Sequence, residues 1–142
     1  MKKYVNTAFG YALAAMAGGV FYREFTKFNG FAGRTSLGLV HTHLFLLGMV
    51  FFLLAALLAK QVPLTGQKQA KAFYVLYNVG AGMTAVMLLA RGVCQVLGTP
   101  LSQGLDAAIS GMAGIGHILL GTGLVLFFLA LKNAVGAAEA RV

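Results

Sequence analysis

Apolar residues run almost unbroken through four stretches of the chain, approximately residues 5–22, 36–59, 72–97 and 107–131. None alternates apolar with polar positions as a half-solvated strand would. Each is long enough for one helical crossing, because a hydrocarbon layer about 30 Å thick takes about 20 helical residues. Short polar connections separate the stretches, Arg23 to Thr35, Lys60 to Lys71 and Gly98 to Asp106, and none has room for a further domain. Both prolines, Pro63 and Pro100, fall in these connections, where a missing backbone N–H does least harm. The pattern predicts one all-α membrane domain over residues 1–142, an up-and-down bundle of four transmembrane helices.

Composition sharpens this. Hydrophobic side chains make up 59% of the 142 residues and charged ones 10%, where a soluble domain carries about 25% charged residues. The formal net charge of +8 would suggest nucleic acid on a soluble protein, but in an apolar chain it reports topology, and a nucleic-acid partner is excluded. Lys2, Lys3, Lys60, Lys68, Lys71, Lys132 and Arg141 fall on one side of a four-crossing arrangement, and Arg23, Lys27, Arg34 and Arg91 on the other. The positive-inside rule then puts both termini in the cytoplasm. Met1-Lys2-Lys3 followed by an apolar run also has the form of a secretory signal. Asn6, Gly10 and Tyr11 interrupt its apolar core and Gly18-Gly19-Val20-Phe21 prolongs it, so retention as a helix is expected. Cys94 is the only cysteine, which rules out an internal disulfide and a C-x-x-C-H attachment site for a covalent haem.

Candidate chemistry rests on three histidines, His41, His43 and His117, the only side chains in the apolar stretches that titrate near neutrality and bind metals well. His43 lies about seven residues into its stretch and His117 about ten into its own, roughly 10 and 15 Å at 1.5 Å per residue. In an up-and-down bundle the second and fourth helices are diagonal neighbours, so these two rings are expected to face each other across the interior. Two facing imidazoles suit the axial positions of a haem. His41 and His43, about 200° apart around a helix, would supply one ligand between them, with His41 the alternative. Ala113, Gly114 and Gly121 leave a bare strip beside His117 for a flat ring.

Haem propionates need cationic partners, and Arg23, Arg34 and Arg91 could provide them. Arg91 sits inside its apolar stretch, where a charge costs about 2.5–3.5 kcal/mol unless it is paired. Glu24, Asp106 or a lipid phosphate could equally pair with it. The glycines and histidines also admit a bland reading as helix-packing positions, and the methionines one as core filler. No serine–histidine–acid set, carboxylate pair or phosphate-cradling loop is present.

The segments Phe21-Tyr22-Arg23-Glu24-Phe25-Thr26-Lys27, His41-Thr42-His43-Leu44-Phe45-Leu46-Leu47-Gly48-Met49 and Gly116-His117 resemble an uncharacterised family of small four-helix bacterial membrane proteins. The resemblance implies a bacterial inner (cytoplasmic) membrane location and supplies no chemistry. More distantly, the His41-x-His43 helix is similar to the histidine-bearing helix of haem–copper oxidase catalytic subunits, where such a helix gives an axial haem ligand. This implicates His41 or His43 and leaves His117 unaddressed. Three histidines are too few for the copper and second haem of those enzymes, so their oxygen chemistry is not expected.

The sequence therefore predicts a membrane-embedded b-type haem protein with His43 and His117 as ligands and Arg23, Arg34 and Arg91 toward the propionates. Its role would be electron transfer with quinol or a redox protein, as a haem-dependent oxidoreductase component, or gas binding and sensing. The alternatives are a cofactor-free accessory subunit and a histidine site for copper or zinc, completed in a homodimer.

Overall fold

A computed structural model describes residues 1–140; Arg141, part of the charge count above, lies outside them. The described chain forms four helices: α1 (Lys2–Phe28), α2 (Leu37–Gln61), α3 (Lys68–Val96) and α4 (Gln103–Glu139). A 3₁₀ turn, Leu64–Gly66, links α2 to α3. No strand is present among the described residues. The helices overrun the apolar stretches at most ends, because polar residues such as Arg23 to Lys27 and Gln103 to Asp106 continue a helix without being apolar. Three helices, α2, α3 and α4, are long and apolar enough to cross a membrane. The 27-residue α1 is not among them.

Local chemistry fixes the ends. Gly30 (φ +58°) and Gly98 (φ +62°) take the left-handed conformation just past α1 and α3. There the Phe31 N–H donates to the Thr26 carbonyl at 2.9 Å and the Thr99 N–H to the Cys94 carbonyl at 3.1 Å. These closures satisfy carbonyls that a helix end leaves unpaired. Val62 ends α2 in an extended conformation that the following Pro63 favours. Ser102 caps α4, its hydroxyl accepting from the Leu105 N–H at 3.3 Å.

The helices run alternately up and down. One end, which we call the lysine end, carries Lys2, Lys60, Lys68 and Lys132; the other, the arginine end, carries Arg23, Arg34 and Arg91. An aromatic core fills the lysine-end half, where Tyr4, Phe52, Phe73, Tyr77 and Phe127 are buried together. α3 and α4 touch backbone to backbone: a Cβ on Gly80 would strike the Leu120 nitrogen and the Gly116 carbonyl, and one on Gly123 would meet the Tyr77 backbone. α4 packs chiefly along α3. It also meets α2 at the lysine end, where Phe51 and Phe127 have ring centroids 5.1 Å apart. Two polar pairs tie α1 to α3: the Thr7 and Tyr74 hydroxyls lie 2.7 Å apart, and the Tyr11 hydroxyl donates to Asn78 at 3.0 Å.

Residues Leu44–Val50 of α2 form a π-helical segment that begins directly after His43. Within it Gly48 lies under the Tyr11 ring, where no Cβ would fit. Such wide turns recur at functional sites.

Candidate functional site

His43 and His117 share one local geometry. His43 Nδ1 lies 2.8 Å from the Leu39 carbonyl oxygen, and His117 Nδ1 lies 2.8 Å from the Ala113 carbonyl oxygen. A carbonyl only accepts, so Nδ1 carries the hydrogen in both rings and the neutral imidazole keeps its lone pair on Nε2. Each ring is thus held by the preceding turn of its own helix and offers Nε2 outward.

Neither ring lies in a packed interior, where the sequence led us to expect them. His43 is half-buried and His117 exposed. At the level of His117 the interior is taken by α3, whose Gly80 and Thr84 press against Gly116. The contact of Phe51 with Phe127 gives a common height for α2 and α4. Counted from it toward the arginine end, His43 lies just beyond the π-helical segment Leu44–Val50, and His117 lies further along the α-helical α4. Gly114 and Gly121, one turn to either side of His117, face open space.

The arginines divide. The Arg91 Nη2 donates to the Asp106 carboxylate at 2.7 Å and to the Ser110 hydroxyl at 2.8 Å, and its Nε is buried without a partner. Asp106 is one of the partners the sequence allowed for it; Ser110, one turn further along α4, is an addition. Asp106, Ser110 and His117 recur at helical spacing, so Arg91 is anchored on the flank of α4 that bears His117. Arg34 lines a polar recess of about 480 Å³ with Tyr22, Thr35, Ser36, Leu39 and Gln95. This recess lies one turn above His43 and shares Leu39 with it. The Gln95 carbonyl oxygen accepts from the Ser36 N–H at 2.7 Å, which leaves its amide nitrogen free to donate. Arg23 stands apart, its side chain 80% exposed and 3.7 Å from Glu24.

His41 has a different setting. Its ring stacks on Tyr22 at 6.2 Å and lies against Gly19 of α1, and its Nδ1 is buried with no partner. It faces α1, on the other side of α2 from His43. No group of three or more His, Cys, Asp or Glu gathers among the described residues, whereas a zinc ion takes three or four protein ligands.

The family described as "Protein of unknown function (DUF2871)" matches residues 1–134. The chain belongs to this family. The matched region covers α1 to α3, most of α4, the three histidines and Arg23, Arg34 and Arg91. No curated protein and no solved structure matches the chain. The family description carries no chemistry, so the site is argued from its own geometry.

Sequence reasoning missed the π segment, because an apolar run looks the same whether its turns are α or π. It also missed Ser110 and Gln95, which lie outside any motif. The spacing of Asp106 and Ser110, one helical turn apart and opposite Arg91, was the available signal.

Proposed function

We propose that this protein is membrane-embedded and holds a b-type haem without covalent attachment between α2 and α4, above the contact of Phe51 with Phe127. Nε2 of His43 and Nε2 of His117 would hold its iron. One observation carries the reading: both rings, on separate helices, donate Nδ1–H to the carbonyl of the preceding turn. That tautomer presents Nε2 for iron and makes the ring a firmer ligand. The residues fit the group in two further respects. Gly114 and Gly121 leave a bare wall beside His117 that would admit a flat macrocycle, and Arg34 and Arg91, on the arginine-end side of the two histidines, are the cations that would face its carboxylates.

The residues then have separate tasks. The Leu39 and Ala113 carbonyls orient the rings. Arg34, with the Gln95 amide, would receive one carboxylate, while Arg91 is already neutralised by Asp106. His41 packs α2 on α1 and is not a ligand, and Arg23 has no role at this site. Bound haem supplies one-electron exchange, with quinol or a redox protein as partner, or gas binding where one axial position is open. The lysine excess at the end bearing the N-terminus favours a cytoplasmic position for that end in a bacterial inner membrane.

An absorption spectrum of the protein purified in mild detergent after haem-replete expression is the test. A Soret band that shifts on dithionite reduction is expected. His43→Ala and His117→Ala should each abolish or shift it, Gly121→Leu should remove it by filling the wall, and His41→Ala should keep it. No Soret band, or equal loss at His41, would overturn the assignment. A cofactor-free accessory role has one observation in its favour: Gly111, Gly114 and Gly121 expose a small-residue face suited to another helix. Colourless protein that co-purifies with a partner would establish that role instead, and metal analysis would expose a copper or zinc site.

A further inference from the structure

A second feature lies among α1, α2 and α3. α1, α2 and α3 enclose an open-sided cleft of about 530 Å³, and a smaller one of about 290 Å³ adjoins it toward the lysine end. Ala14 and Leu44 belong to both, so the two form one groove along α1. The larger lobe is walled by Ala, Gly, Val, Leu and Phe alone and offers no side-chain hydrogen-bond donor. A polar head, including a quinone ring that must exchange protons, would lose its water there without compensation. A hydrocarbon chain loses nothing.

Charge at the foot of the groove identifies the head that such a chain would carry. The smaller lobe ends at Thr7, whose hydroxyl donates to the Lys3 carbonyl at 2.8 Å. The Lys3 ammonium lies over the Tyr74 ring at 4.1 Å, held at the mouth by an aromatic face. Lys2, Lys60, Lys68, Lys71 and Lys132 share this end with a single described acid, Glu139. From Lys3 to Ala14 the helix rises about 16 Å, close to half of the roughly 30 Å hydrocarbon layer. We infer that the groove binds an anionic membrane lipid, its phosphate at Lys2 and Lys3 and one acyl chain laid along α1 past Gly10 and Ala14. The inference needs the membrane but not the haem.

Native mass spectrometry of protein released from mixed micelles tests it, with phosphatidylglycerol and phosphatidylcholine of identical chains at equal fraction. The parent protein should retain phosphatidylglycerol preferentially. Lys2→Ala and Lys3→Ala should each reduce that preference about fivefold, as expected for a lysine near an anionic surface. Gly10→Leu and Gly82→Leu fill the groove from positions that face open space, so helicity by circular dichroism should be unchanged while retention of both lipids falls. Equal retention of the two lipids by the parent, or undiminished phosphatidylglycerol on the filled variants, overturns the proposal. None of these readings depends on the Soret band.

Discussion

At the residue scale, glycine shows how one residue type serves opposite ends. Gly80 and Gly82 sit two positions apart in α3, yet Gly80 meets the α4 backbone and Gly82 meets nothing within 4 Å. Backbone cannot yield as a side-chain tip can, so Gly80→Ala should force α3 and α4 apart at about 1–3 kcal/mol. Gly82→Ala should be neutral or stabilising by up to about 1 kcal/mol, since alanine is the better helix former. Thermal unfolding in detergent compares the two directly, and equal effects would show that the helices do not touch at Gly80. Composition cannot separate these glycines, because the difference lies in what the neighbouring helix presents. The charged residues were more legible: Arg91 in an apolar stretch called for a partner, and Asp106 is that partner.

At the scale of elements, α1 shows why one expected crossing segment falls short of the other three in apolarity. Its polar residues are spent on neighbours: Thr7 and Tyr11 stand one turn apart on α1, Tyr74 and Asn78 one turn apart on α3, and the two sets pair in register. A double-mutant cycle with Tyr11→Phe and Asn78→Leu should give a coupling of about 0.6–1.7 kcal/mol, the range for hydrogen bonds between membrane helices. Zero coupling would mean that packing alone holds α1. Helix existence and order were legible because apolar length is a strong signal, and the turns because Gly30, Pro63 and Gly98 punctuate them. Helix ends were not, since Arg23 to Phe28 and Gln103 to Asp106 form helix by backbone propensity and capping rather than by hydrophobicity. Nor was the π segment at Leu44–Val50, since an apolar run reads the same in either kind of turn.

At the scale of the whole molecule, the sequence anticipated four helices, but it placed the rings of His43 and His117 inside a closed bundle. The reason is that α3 is the common neighbour. Its glycines draw α4 against it backbone to backbone, and His43 is left half-buried and His117 exposed. Burial in a membrane protein need not mean burial in protein, and apolar periodicity cannot distinguish the two.

The mode of attachment of α4 has a practical corollary. The segment Gly98 to Pro100 is the only covalent tie between α4 and the first three helices, while the glycine seam with α3 is contiguous. A gene severed after Thr99 should therefore give two polypeptides that reassemble when co-expressed, detectable as co-purification through a tag on the larger piece. Gly80→Leu should abolish the reunion. Under the proposed haem binding by His43 and His117, added haem should promote it, since one ligand would then come from each piece.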